Sequence, residues 1–279
     1  MFHRCRWAIA IAAPLTLAAC LWSPGKFTST LDVRKNGTFI LDYRGEILFA
    51  MPDSGKTDPW SDDKAHCKTD GTASLDSFEG QGEERVCSAA ERATLKAAYE
   101  KKETNRIAAK RKENEEMARV FGLPGSDDAS NRKFAETLKK YAGWRAVTYV
   151  GKGVYNVDYH FQGMLTQDFA FPIMPETDLV LPFIAIRRRA DGAVLVTAPA
   201  LSGGEGPFAA RAKMLDLGNK AESGGEPMRA DGKFTIVTDG EILTNNSEDG
   251  PIAGPGGKSL TWQVSPSNTR SPETLIRLQ

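Results

Sequence analysis

The side chains that most often carry reaction chemistry are scarce in this chain, whose 279 residues include three histidines and four cysteines. A serine or cysteine nucleophile needs a base such as an imidazole within hydrogen-bond reach. His160 sits on the polar side of the alternating run Tyr155, Val157, Tyr159, Phe161, where a solvated strand residue is the ordinary explanation. His66, Cys67 and Cys87 are metal-ligand types, but adjacent His66 and Cys67 do not repeat a finger-like spacing and no fourth ligand is near. The sequence contains no G-x-S-x-G elbow, phosphate loop or H-E-x-x-H. Gly203, Gly204 and Gly206 precede a helix start in the manner of a weak anion nest; without a strand and lysine context they read as a flexible connection. These residues assign no catalytic group, no metal and no cofactor, and the chain reads as a non-enzyme.

Cys20 points to another chemistry. Arg4 and Arg6 are followed by an apolar run, Trp7 to Ala19, broken only by Pro14 and Thr16. As a helix that run rises about 20 Å, short of a hydrocarbon core of about 30 Å, so a secretory signal fits better than a membrane span. Leu17, Ala18, Ala19 and Cys20 then stand in the order of a bacterial lipobox. The segment resembles lipoprotein signal peptides, which implies a diacylglycerol on the Cys20 thiol, cleavage before it and acylation of the new amino group. Residues 1–19 are then a signal and 20–26 a lipidated anchor and tether. From Cys20 to Phe27 the tether spans at most about 25 Å. Leu21 stands where an aspartate would imply retention at an inner membrane, so a lipid-anchored location on the periplasmic or extracytoplasmic face is expected, with the outer membrane favoured if the host has one.

In an exported protein, Cys67 and Cys87 read as a disulfide, stabilising by about 3 kcal/mol in the chain-entropy model. Lys and Arg number 36, as do Asp and Glu; removing Arg4 and Arg6 leaves a slight acidic excess, which suggests no nucleic-acid partner.

The elements around these residues follow from periodicity. Phe27, Leu31 and Val33, then Phe39, Leu41, Tyr43, Ile47 and Phe49, each keep one parity about Asn36-Gly37, which predicts a hairpin with a two-residue turn. Residues 52–86 are polar and aperiodic, a disulfide-closed excursion. Ser88 and Glu91 form a capping box for a charged helix to Phe121. A second helix, capped at Asp127 or Asp128, places Phe134, Leu138 and Tyr141 on one face before Gly143. Strands follow: a pair joined at Gly151-Lys152-Gly153, hairpins turning at Asp191-Gly192 and Asp239-Gly240, then "SLTWQV" and "TLIRL", with a short helix from Phe208 to Leu217 between them. The sum is one α+β domain over 27–279: an antiparallel sheet from N- and C-terminal hairpins, a disulfide-closed insertion at 52–87, and two consecutive helices at 88–142 packed across one sheet face.

A sheet covered by only two helices leaves room for an apolar groove, and Tyr155, Val157, Tyr159, Phe161, Trp144 and Trp262 are its candidate lining. Arg187, Arg188 and Arg189 are candidate contacts to lipid phosphates. The opening "FTSTLDVRKNGTFILDYRGEI" and the late "FTIVTDGEILTNN" with "LTWQV" resemble, in layout, the LppM-like lipoprotein domain family. That resemblance implies a lipid-anchored α+β envelope domain and suggests lipid binding. The disulfide insertion, the charged helix and the segment Phe208 to Pro227 depart from it. The leading expectation is therefore an anchored envelope protein binding a lipid or other hydrophobic ligand, with docking of an envelope protein partner through the charged helix as the alternative.

Overall fold

Two strands of twelve residues, β1 (Trp22–Val33) and β2 (Thr38–Phe49), open the computed structural model, which describes residues 22–49, 57–174, 182–202 and 230–278. The signal segment, Cys20, the glycines at 203, 204 and 206 and the helix expected at 208–217 lie outside the described residues. The chain forms two compact units, Met1–Met51 with Ala118–Gln279 and Pro52–Met117. The insertion therefore includes most of the charged helix, where the sequence suggested that the helix belonged with its successor.

In the larger unit β1 starts at Trp22, five residues before the alternating pattern declares itself, because a bulge between Pro24 and Phe27 breaks that pattern. Gly45 makes the bulge possible: its φ is 151°, and a Cβ there would lie 2.2 Å from the Lys26 carbonyl oxygen. At the far end the hairpin turns through three residues, Lys35-Asn36-Gly37, not two. The Gly37 amide donates to the Arg34 carbonyl at 2.9 Å, and Gly37 alone of the three takes positive φ, the type I turn with a glycine bulge.

The helix α2 (Asp128–Leu138) follows the charged helix α1 (Ala89–Val120). Asp127 caps α2 by accepting from the Ser130 amide at 2.9 Å. Tyr141 falls beyond the helix and is 42% exposed, because the backbone leaves α2 through turns at Lys139 to Tyr141. The remaining strands are β6 (Trp144–Gly151), β7 (Val154–Met164), β8 (Phe169–Phe171), β9 (Ile184–Arg188), β10 (Ala193–Thr197), β11 (Asp231–Thr238), β12 (Glu241–Asn245), β13 (Ile252–Gly254), β14 (Gly257–Val264) and β15 (Glu273–Arg277). The smaller unit supplies β3 (His66–Lys68), β4 (Ala73–Ser74) and β5 (Glu84–Arg85).

These strands form a seven-stranded sheet in the order β13-β14-β11-β1-β2-β7-β6 and a five-stranded sheet in the order β12-β15-β10-β9-β8. The first is mixed, which corrects the expected antiparallel sheet: β1 pairs β2 antiparallel and β11 parallel. The hairpin expected at Asp239-Gly240 does not form. β11 already has β1 on one side and β14 on the other, so β12 has no free edge to pair with and crosses to β15 in the second sheet. Gly232 allows the close β1–β11 approach, since a Cβ there would lie 2.0 Å from the Phe27 carbonyl oxygen.

The two sheets bury their apolar faces against each other. Tyr43 meets Phe171 and Phe183 at ring separations of 5.0 and 6.3 Å, and Tyr159 meets Phe171 at 4.6 Å. The face predicted to lie under two helices is thus covered mainly by strands, with α2 packed on β6.

The smaller unit has little core: Cys67, Cys87 and Leu95, with Trp60, Ala65 and Leu75 against them. Its three-stranded sheet has the order β4-β3-β5. The Cys67–Cys87 disulfide forms, with Cα atoms 5.3 Å apart, and joins β3 to the residue before the cap of α1. The capping box forms as well, Ser88 N donating to Glu91 Oε2 at 2.8 Å and Glu91 N to Ser88 Oγ at 3.3 Å. The Arg85 guanidinium grips the same carboxylate, and with Ser88 it holds the Glu91 carboxyl down at about 2. The capping contribution is thus present above the ordinary glutamate range and lost as pH falls toward that value. Replacing Cys67 and Cys87 together by serine should loosen this unit by about 3 kcal/mol. Amide exchange should then accelerate on the order of 100-fold over 66–88 and the first turns of α1 while the two-sheet core keeps its protection. Unchanged exchange over 66–88 would show that the crosslink is not what holds the unit.

Candidate functional site

Strand alternation puts Tyr155, Val157, Tyr159 and Phe161 on one face of β7, and the structure uses that face as interior. Tyr155, Val157 and Tyr159 are buried, as is Trp144 on β6. Trp144 lies edge-on to Tyr159 at 5.3 Å, and Phe161 stacks on Phe169 at 5.2 Å and tilts against Phe39 at 5.9 Å. Tyr155 touches Trp22, Phe134 and Tyr149. The lining expected for a groove is therefore covered by rings from β1, β8 and α2. Trp262 does not join it: β14 is five strands from β6, about 24 Å at strand spacing. Trp262 stacks on Phe234 at 5.8 Å and donates from Nε1 to Asn246 Oδ1 at 2.9 Å.

The polar edge of this interior is closed by Asn131, a buried α2 residue that the sequence did not single out. It accepts from the Tyr155 hydroxyl and donates from Nδ2 to the carbonyls of Gly125 and Asp127 at 2.8 and 2.7 Å. One amide thus ties the cap of α2 to β7. Asn at the fourth helical position, three before Phe134, is a visible signal only once the helix is known to face the sheet.

The other face of the seven-stranded sheet is polar. His160 Nδ1 and Asp42 Oδ1 are 2.8 Å apart across β7 and β2, and Arg44 reaches Asp158 at 3.3 Å. Neither carboxylate was anticipated, although both sit on the polar parity of their strands. The pair orients the imidazole, yet among the described residues no serine, threonine or cysteine is hydrogen-bonded to that ring. Asp32 and Asp158 each keep one buried carboxylate oxygen without a partner. No group of three His, Cys, Asp or Glu that could hold a metal ion occurs among the described residues. His66 lies 3.5 Å from Glu84, and the sulfur of its neighbour Cys67 is in the disulfide.

The three arginines do not converge. The Arg188 amide donates to Asp168 Oδ1 at 3.0 Å and its Nη1 to the Leu165 carbonyl at 3.2 Å. Arg189 pairs with Asp191 at 3.2 Å beside the expected Asp191-Gly192 turn. Arg187 precedes Arg188 on a strand and so points to the opposite face.

No family model matches the chain, and no curated protein matches it. In a search of solved structures it is similar to the folded domain of LppM from Mycobacterium tuberculosis, determined by NMR, over 91% of each chain, with 11% identity and a TM-score of 0.23.

Burial raises the Tyr43 and Tyr155 phenols well above their ordinary range and pushes Tyr159 up to about 12. An exposed phenol ionises near pH 10, so the unfolded chain releases these protons first. Stability from these groups is full below that pH and falls as pH rises above it. In an alkaline titration, the phenolate absorbance of Tyr43, Tyr155 and Tyr159 should appear together with the loss of near-ultraviolet circular dichroism. Their ionisation in a still folded protein would mean that water reaches the face.

Proposed function

We propose that this chain is an acylated, non-enzymatic protein of the bacterial cell envelope. Its two-sheet domain is held at the bilayer through Cys20, and its disulfide unit displays helix α1 as a docking surface for an envelope protein. The lipobox supports the anchor. So does the start of β1 at Trp22, two residues past Cys20, which leaves about 7 Å of chain between the acyl site and the sheet. Among the described residues no helix is long and apolar enough to cross a membrane. Leu21 after the cysteine favours the outer membrane where the host has one.

One observation carries the docking role: the aromatic face is filled by the protein's own rings, so a lipid or other hydrophobic ligand bound there would have to displace Tyr155, Tyr159 or Trp144 from the core. Meanwhile the outward side of α1, opposite Tyr99, exposes Lys101, Arg111 and Lys112. Arg187 to Arg189, split between strand faces and local pairs, give weak support to headgroup contacts.

The wild type should take up labelled fatty acid and sediment with membranes, and Cys20→Ser should do neither. Reversing Lys101, Arg111 and Lys112 to glutamate should remove crosslinks to envelope proteins while leaving circular dichroism unchanged; persistent crosslinks would end the docking reading. Native mass spectrometry of gently extracted protein should show its own acyl chains and no further lipid. Stoichiometric copurified lipid would instead support a ligand site.

A further inference from the structure

Phe78 is 92% exposed, and Val86 on the same small unit is 86% exposed. Phe78 sits between β4 and β5 on a segment whose backbone is pinned. Its amide donates to Asp76 Oδ1 at 3.0 Å, Lys68 Nζ donates to the Gly80 carbonyl at 3.0 Å, and Asp70 accepts from the amides of Gln81 and Thr72. At that exposure the ring packs on nothing in its own unit. Asp76 and Glu79 stand exposed within two residues of it, and Asp70, Glu83 and Glu84 are exposed on the neighbouring segments, against the one Lys68 ammonium at the Gly80 carbonyl, so the loop and its neighbours are net negative. An anionic bilayer surface repels such a loop; a basic surface with shallow apolar relief suits it.

That surface is present on the same unit. The exposed side of α1 carries Lys101, Ala108, Arg111 and Lys112 within about a third of the helix circumference, at 3.6 residues per turn; Glu115 shares that arc and Lys112 reaches Glu116 at 3.9 Å, so the face keeps a net positive charge centred on Lys101 and Arg111. Lys101 and Arg111 have no ion-pair partner among the described residues. Ala108 leaves a shallow gap between the cationic side chains, which can flank a phenyl ring while pairing with Asp76 and Glu79. Resting on the docking role proposed for α1, we infer that its partner is a second copy of this chain, the Phe78 loop of one seating on the Ala108 face of the other. Loop and face are different patches, so the contact is heterologous and extends copies into open chains unless a rotation closes it. Anchoring in one bilayer raises the effective concentration for such a contact.

The test uses the full acylated chain in phosphatidylcholine vesicles at low surface density, with donor- and acceptor-labelled populations. Energy transfer should exceed that of random mixing and fall as salt rises. Phe78→Ser should weaken association at least tenfold. Two charge-reversed chains, Asp76→Lys with Glu79→Lys and Lys101→Glu with Lys112→Glu, should each fail to self-associate, yet transfer energy when mixed. Circular dichroism and an intact disulfide confirm folding. Transfer at the random level in the wild type, or no recovery on mixing, overturns the self-contact. If envelope-protein crosslinks still depend on α1 in that case, the docking role stands without it. Binding of the unacylated chain to vesicles that is lost in Phe78→Ser would assign the knob to membrane and likewise overturn the inference.

Discussion

The larger unit depends on the saturation of β1. That strand hydrogen-bonds to β2 along one edge and to β11 along the other, so the first described residues of the chain are clamped between its beginning and its end. A parallel neighbour must return by a long connection, and here everything from β2 to Ala230 lies between the partners. Once β1 and β14 flank β11, the next strand cannot pair beside it and joins β15 in the second sheet, which β8, β9 and β10 have already begun. The position of β1 thus leads to the β12 crossing, which adds a strand to the layer that, through Phe171 and Phe183, roofs the aromatic face.

The roof decides what the interior can do. Five aromatic residues of one sheet, Phe39, Tyr43, Trp144, Tyr159 and Phe161, find ring partners on β8. The ring-to-ring separations are those of packed aromatic pairs. Polar atoms inside are handled locally, as with the Tyr155 hydroxyl on Asn131 and the Tyr43 hydroxyl on the Glu46 carbonyl. Such an interior stabilises a rigid body and commits the rings that a ligand would need. Recognition is left to surfaces, which is where the charged side chains are.

Local pattern made much of this legible and long-range pairing made the rest illegible. Asn36-Gly37, Gly151-Lys152-Gly153 and Asp191-Gly192 marked turns that form, because a turn is specified by the residues within it. Ser88 and Glu91 showed the helix start for the same reason, and Cys67 with Cys87, read as an isolated pair, indicated the crosslink. Asp239-Gly240 carried the same signature yet became a crossing between sheets, since one edge of β11 is taken by β1, some two hundred positions earlier, and the other by β14. The aromatic lining was readable as apolar, but whether it was hollow or filled depended on Phe171, on a three-residue strand without clear alternation, and on Phe183, just before β9. The Asp42–His160 pair was hidden likewise: each residue sits on a polar parity, and only the β2–β7 register brings them together.

The small unit shows why a charged helix can be both stable and available. With three buried residues at its centre, hydrophobic burial alone orders little chain against conformational entropy. The unit instead fastens α1 at discrete points along one side. The disulfide and the Arg85–Glu91 grip hold its start, and Tyr99 then bonds Asp58 at 2.7 Å, with the Lys64 ammonium 4.4 Å over its ring. Glu103 accepts the Asp58 amide one turn further on. The Tyr99 and Glu103 contacts lie on one side of the helix, and the disulfide precedes it. The opposite side, from Ala97 through Lys101 and Ala108 to Lys112, is held in place without being used to hold, so it can change its charge or size at little cost to the fold. A surface with that freedom is the kind on which selection can write a partner's shape, whereas the aromatic face, where each ring supports another, cannot be altered without disturbing the sandwich.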